Sequence, residues 1–353
     1  MRPSQLLTAA LPPSVINNLR AYLPFTNNLP LIKPTIDEQQ LTEFYQSHVA
    51  AITGAGSGIG RQLALNLAQA GCHLALSDIN DKNLAETYAL LKPYSVKVTT
   101  TVLDVSDKNA VFAWAEQVMA DHGKVNFIFN NAGVALSSTV EGESIDDIEW
   151  VMGINFWGMV YGTKAFLPLI KQSLNPASDN SQSEDGNRQH HGHIINISSL
   201  FGLIALPGQS AYNASKFAIR GFNESLRQEL AIENSGVSIT SVHPGGIKTN
   251  IANNARGNDS IGSLGMPTGA RGIRNFNRLL KFDPDMAAKI ILMAAANNQP
   301  RCLIGDDAKL ADLLQRITPS HYGPLMAKAT KLAAGHKGKK SKNKRKKQNE
   351  PQK

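Results

Sequence analysis

The chain has 353 residues, enough for one large α/β domain with extensions or for two small domains, and 42% hydrophobic against 18% charged residues suits a globular protein rather than a disordered one. A formal charge of +8 invites a nucleic-acid reading, but residues 337–353 hold nine Lys or Arg and one Glu, which leaves 27 basic against 27 acidic residues before them. The basicity is a tail, no aromatic-interleaved platform stands behind it, and nucleic-acid binding as the main function is set aside.

No run of 18 or more apolar residues occurs, so no transmembrane helix is expected. The start, "MRPSQLLTAALPPSV", is broken by Pro12 and Pro13 and does not read as a signal peptide. Cys72 and Cys302 have no paired spacing, so neither a disulfide framework nor a metal site is expected, and a reducing, cytoplasmic setting is the reading.

Residues 1–47 carry irregular prolines and no sustained periodicity, which reads as an N-terminal arm with a short helix near Ser14 to Tyr22. From His48 the pattern changes. "HVAAITG" is a short apolar strand, followed by a helix in which Leu63, Leu67 and Ala70 recur at spacings of four and three, and then by the strand "HLALSD". The alternation continues through "VKVTTTVLDV", the helix "SDKNAVFAWAEQVMADHG" with Ser106 as its candidate N-cap, and "KVNFIFNNAG". A long helical region from Ile145 to about Ser173, the strand "HIINISS", a helix from about Gln209 to Glu233 and the strand "VSITSVHPG" come next. The helix "PDMAAKIILMAAANN" and the strand "RCLIG" close the series. Strands that are apolar almost throughout, alternating with helices, predict a doubly wound parallel sheet of Rossmann-like α/β type in one domain, over residues 48–310. Residues 311–336 read as a C-terminal helical segment. The polar segment 175–192 reads as a surface insertion, and its His190 and His191, with His193 after it, as solvated rather than metal-binding.

The first strand runs into "TGAGSGIGR", Thr53 to Arg61. Glycine serves where a turn needs positive φ or a phosphate must approach the backbone, and the following helix offers unpaired N–H groups to that phosphate. Because Ile59 stands where G-x-G-x-x-G needs glycine, the pattern is T-G-x-x-x-G-x-G on Thr53, Gly54, Gly58 and Gly60. The next strand ends in Asp78, where a carboxylate accepts from ribose hydroxyls and repels a 2′-phosphate, so NAD is favoured over NADP, which Arg61 alone argues for.

Tyr212 and Lys216 are four apart in "SAYNASKFAIRGF", but so are Tyr88 and Lys92, and spacing alone does not separate the two pairs. The ordered set does. "TGAGSGIG", "LDVSD", "NNAG" (Asn130 to Gly133), Ile154 with Asn155, "NISS" ending at Ser199, "YNASK" and "HPGGIKT" together resemble the short-chain dehydrogenase/reductase family, from about His48 to about Gly305. Ser199 precedes Tyr212 by thirteen residues, as the family pattern requires, and Tyr88 has no such serine.

On a helix, residues i and i+4 share a face, so Tyr212 and Lys216 point the same way, and an adjacent ammonium is expected to lower a phenol pKa of about 10. The resemblance implies a catalytic set of Asn155, Ser199, Tyr212 and Lys216. In it Tyr212 is general acid or base, Ser199 donates to the substrate oxygen, Lys216 holds the nicotinamide ribose, and Asn155 supports a water linking Lys216 to solvent. It also implies cofactor contacts from Gly54, Ser57, Gly58, Ile59, Gly60 and Asp78 in the first half, with Asp104 and Val105 at the adenine. Asn131, Ala132 and Gly133 would line the adenosine side, and Pro244, Gly245, Ile247 and Thr249 the nicotinamide end.

The expected activity is hydride transfer between NAD, or less favourably NADP, and a hydrophobic secondary alcohol or ketone. Apolar walls are expected from "LFGLIALPG" (Leu200 to Gly208) and "VAL" (Val134 to Leu136). Residues 250–281 stand where the family has its substrate lid, and hold Arg256, Arg271, Arg274, Arg278 and Lys281. An anionic handle on the substrate is one reading of these, a solvated basic helix face the other. The alternative to an enzyme is a dinucleotide-binding sensor or scaffold without turnover. The resemblance implies a homodimer or homotetramer. The tail 337–353 is expected to be disordered, with weak contact to polyanions or an anionic membrane surface.

Overall fold

The computed structural model describes residues 35–174, 192–328 and 330. The arm helix near Ser14 to Tyr22, nearly all of the 175–192 insertion with His190 and His191, and the basic tail lie outside the described residues.

Seven parallel strands form the central sheet in the order β3-β2-β1-β4-β6-β7-β9. They are β1 (Val49–Thr53), β2 (His73–Asp78), β3 (Val98–Val102), β4 (Phe127–Asn130), β6 (Gly192–Ile197), β7 (Val237–Pro244) and β9 (Arg301–Ile304). Leu136–Ser137 (β5) and Arg256–Gly257 (β8) pair apart from it. The continuous apolar runs follow from burial on both faces. Ala50, Ile52, Leu74, Leu76, Phe127 and Phe129 enter one core, while Val49, Ala51, Ala75 and Ile128 enter the other. The edge strand β3, "VTTTV", is only partly covered.

Helices α2 (Gly58–Gln69) and α3 (Asp81–Leu91) lie on the first face. The second carries α4 (Lys108–His122), α6 (Gly158–Leu174) and α7 (Ser210–Ile232). The N-cap of α4 is Asp107, whose side chain accepts from Ala110 N, and not Ser106, whose hydroxyl donates to Asp104 at 2.7 Å. A carboxylate one residue further on is the stronger acceptor at a positive helix end.

Residues read as arm also contribute to the domain. Asp37 caps α1 (Glu38–Tyr45), which buries Leu41 and Tyr45 against α9 (Pro284–Ala296), with the Tyr45 hydroxyl donating to Leu292 O at 3.0 Å. With few apolar positions in eight residues, α1 shows little periodicity by itself, and tertiary burial decides it. After β9, α10 (Asp306–Ile317) starts five residues before the helical segment expected from 311.

The strand order reverses between β1 and β4, so the carboxyl ends of these neighbours open a crevice. The glycine turn and the "NNAG" loop emerge there. No described helix is long and apolar enough to cross a membrane.

Candidate active site

The glycine turn is shaped by contacts that exclude a side chain. Gly54 has φ +67, and a Cβ on it would lie 2.9 Å from Ala132 Cα; on Gly60 it would lie 2.1 Å from Gly54 O. Asn131 ties the turn to β4: its Nδ2 donates to Thr53 O at 2.9 Å and Gly54 O at 3.1 Å, while Thr53 Oγ1 accepts from Asn131 N and Ala132 N. The first turn of α2 follows Ser57, whose side chain does not cap it. Its N–H groups at Ile59 and Gly60 belong to the set a helix leaves without intrahelical partners, at the positive dipole end.

Asp78 lies against this turn, its Oδ2 accepting from Gly56 N at 2.8 Å and its Oδ1 from Asn80 N at 2.9 Å. The Arg61 guanidinium is committed to Thr87, Gly56 O, Asn83 O and Glu86, which fastens the turn to α3 and takes it away from any phosphate beyond Asp78. Asp104 accepts from Ser106, and buried Val105 packs against Gly158. A Cβ on Gly58 would meet the Thr249 methyl at 2.9 Å, which brings "PGGIKT" across from the turn. A glycine cradle, a helix N-terminus and a carboxylate together fit a dinucleotide.

Ser199 follows β6, and Tyr212 and Lys216 lie in the first two turns of α7; all three are buried, and the Ser199 hydroxyl is near enough to the Tyr212 phenol to lower its pKa. Lys216 Nζ donates to Ile197 O at 3.1 Å and stands 5.7 Å from the centroid of the Tyr212 ring. Burial pushes the Tyr212 phenol up to about 12, opposed by the Ser199 hydroxyl, and pushes Lys216 down to about 7. The expected lowering of Tyr212 by Lys216 is therefore not what this geometry produces: desolvation disfavours both charged forms. Tyr88 is 44% exposed on α3, so the two Tyr-x-x-x-Lys pairs differ in burial as well as in company.

Asn155 occupies a π-helical turn, Gly153–Trp157, between α5 (Ile145–Met152) and α6. Its Oδ1 accepts from Val134 N at 2.8 Å, and its Nδ2 donates to Val134 O and Ser215 Oγ, both at 3.0 Å. The side chain is thus a brace between the "NNAG" loop and α7. A Cβ on Gly133 would lie 3.2 Å from Asn155 Oδ1 and 3.4 Å from Lys216 Nζ, so glycine keeps those groups close.

Two residues escaped the sequence reading. Asp307, in the first turn of α10, accepts from Gly246 N at 2.7 Å, and a Cβ on Gly245 would fall 2.0 Å from its Oδ1; it shapes the loop after Pro244, where Ile247 is buried. The only signal is a carboxylate just after the last strand. His243 is enclosed: its Nδ1 lies 3.0 Å from Ser199 O and its Nε2 3.1 Å from Ser241 Oγ. A carbonyl only accepts, so Nδ1 carries the proton and Nε2 accepts from the Ser241 hydroxyl. Donors continue in one direction through the core, from Asn130 to Asn196 at 2.8 Å, Asn196 to Asn223 at 2.7 Å and Asn223 to Ser241 at 3.2 Å. The backbone of Ser199 is thus held by a chain of side chains that runs through the core beneath α7.

Beside these groups lies a cavity of about 450 Å³, lined by Ala135, Leu136 and Gln209 and roofed by residues 252–279, including α8 (Gly269–Asn277). Of the expected walls only the Val134–Leu136 stretch contributes. Leu203 and Ile204 of the other are buried in the body, because that segment turns inward through a 3₁₀ turn at Leu200–Gly202. Tyr212 shares an apolar cluster with Ala135 and Leu136, against which Ala255 and Phe201 pack, so the cavity and the candidate catalytic groups share a wall. Arg256 lines the cavity, pairs with Asp147 at 3.4 Å and stacks 4.0 Å over Trp150.

Residues 48–260 match the family model described as short chain dehydrogenase. The chain is 45% identical over 285 residues to the protein named "Putative oxidoreductase SadH" of Mycobacterium tuberculosis, covering 80% of this chain and 95% of that one. It is 35% identical over 275 residues to human "Estradiol 17-beta-dehydrogenase 11", covering 78% and 80%. Among solved structures, a short chain dehydrogenase/reductase from Burkholderia phymatum in complex with NAD superposes with a TM-score of 0.68 at 28% identity, covering 79% of this chain and 96% of that one. With the doubly wound sheet and the ordered motifs, these matches make the chain a member of the short-chain dehydrogenase/reductase family of oxidoreductases.

Proposed function

We propose that the protein is an NAD-dependent oxidoreductase that interconverts a hydrophobic secondary alcohol and its ketone. The observation that carries this reading is the buried cluster of Ser199, Tyr212 and Lys216 beside a largely apolar cavity, at the edge of a glycine cradle that fits a dinucleotide. Asp78 on the turn, and Arg61 occupied by Gly56 O, Thr87, Asn83 O and Glu86, support NAD over NADP.

The nicotinamide supplies or accepts the hydride when bound. The chain's own residues manage position and proton. With its pKa raised by burial, Tyr212 holds a proton at its hydroxyl and is set to donate it to the oxygen of a carbonyl being reduced. Ser199, near the Tyr212 phenol and fastened through His243, donates to the same oxygen as negative charge develops there. For oxidation Tyr212 must take the alcohol proton, which asks for positive charge beside the phenolate. Lys216, poised near neutrality, supplies it when protonated. Asn155 braces the loop and helix that set the distance between these groups, its side-chain amide committed to Val134 and Ser215.

Purified protein is incubated with NAD and a panel of steroid, acyl-chain and small aliphatic alcohols, and NADH formation is followed by absorbance. Turnover that rises with substrate apolarity supports the reading. Tight NAD binding with no turnover of any alcohol or ketone favours a sensor or scaffold instead.

A further inference from the structure

The roof of the cavity carries charge that the groups beneath it do not use. On α8, Gly269, Gly272, Ile273, Asn275 and Phe276 line the cavity, as does Leu279 just past it, whereas Arg271, Arg274 and, just past the helix end, Arg278 do not. At 100° per residue the three arginines fall within about 60° of one another, on the side away from Gly269, Gly272, Ile273 and Phe276. All three are exposed. The other arginines of the described residues, Arg61, Arg220, Arg227, Arg256, Arg301 and Arg316, each hold a carboxylate or a carbonyl. Arg271, Arg274 and Arg278 have no side-chain partner among the described residues. Exposed apolar groups stand at the rim of the same cavity: Leu279 is 68% exposed and Ile273 40%, and Leu264, before the helix, is 36% exposed.

We propose that α8 seats the mouth of the cavity on the headgroup layer of an anionic phospholipid bilayer, from which an apolar substrate enters; the nature of that substrate rests on the function proposed above, the docking does not. Guanidinium groups match phosphate and carboxylate geometry, and cationic side chains beside an exposed apolar rim suit a surface that seats in a membrane interface. An anionic group on a substrate inside the cavity would face Arg256, which is paired and stacked, and not the outward stripe. A nucleic acid would neutralise the arginines but leave Leu279 and Ile273 in water, whereas a bilayer takes both.

The test uses the full chain and sedimentation with phosphatidylcholine vesicles, with and without phosphatidylserine. The triple variant R271Q/R274Q/R278Q should bind the phosphatidylserine vesicles about 100-fold more weakly at low salt, and the difference should shrink as salt rises. R271K/R274K/R278K should keep most of the binding, which separates charge from misfolding. A full-length variant with glutamines for the lysines of residues 337–353 should still show the arginine-dependent difference. Oxidation of a water-soluble alcohol should be unchanged in the glutamine variant, while oxidation of one dissolved in the vesicles should fall with binding. Equal vesicle binding by the parent and the glutamine variant, or an arginine-dependent affinity for DNA with no preference for phosphatidylserine, overturns the proposal. Arginine-dependent vesicle binding without turnover of any alcohol upholds the docking face and counts only against the substrate reading.

Discussion

Acidification should weaken the protein through His243, and the size of the effect follows from its enclosure. Burial, reinforced by the positive charge of Arg301, pushes the imidazole down to about 3, against an unfolded value of about 6.5. Between these values the unfolded chain binds a proton that the folded one does not. Stability is therefore fully present above pH 6.5 and lost as pH falls toward 3. At 1.36 kcal/mol per unit, the 1.5 units between 6.5 and pH 5 remove ~2 kcal/mol. His243→Asn removes the titration while leaving a short amide that can still donate to Ser199 O. At pH 8 it should cost ~1–3 kcal/mol, from the lost Ser241 partner and the unfilled ring volume. Urea unfolding followed by circular dichroism, for both proteins at pH 8 and pH 5, should show the gap narrowing by ~2 kcal/mol at the lower pH. Other titrating groups are common to the two proteins and cancel. Parallel losses would refute the reasoning, since His243 would then carry its proton inside the fold.

Tyr212→Phe should leave the fold and cofactor binding intact while lowering turnover by about two or more orders of magnitude, whereas Tyr88→Phe changes nothing; like behaviour of the two would remove Tyr212 from the chemistry. Binding titrations should show NAD bound more tightly than NADP, and Asp78→Ala should narrow the difference; equal affinities in the parent would contradict the role given to Asp78. Asp307→Ala removes the acceptor of Gly246 N, one exposed hydrogen bond of ~0.5–1.5 kcal/mol, and should raise the KM for NAD about 2- to 10-fold with little change in melting temperature. An unchanged KM would mean that the loop holds its shape without it. Trp157, 47% exposed, and Phe217, 37% exposed, lie on the helical region formed by α6, α7 and the turn before α6, which supports a homo-oligomer through that face. Light scattering should give a multimeric mass at micromolar concentration that Trp157→Glu lowers, and a monomeric parent would rule it out.

The sequence alone determined the alternation of strand and helix, because strands buried on both faces must be apolar at every position and their helices must bury one side. It also determined the ordered motifs, since turns that need positive φ admit little but glycine and an i, i+4 pair on a helix must share a face. Tertiary structure decided what depends on groups distant in the chain. Burial, which spacing does not encode, separates Tyr212 from Tyr88 and reverses the expected shift of the phenol. The commitments of Asn155 to Val134 and Ser215, of Asp307 to Gly246 and of His243 to Ser199 span 21 and 60, 61 and 44 residues. No local pattern carries such pairings. Helix α1, too short to form by its own propensity, exists because α9 offers a place to bury Leu41 and Tyr45.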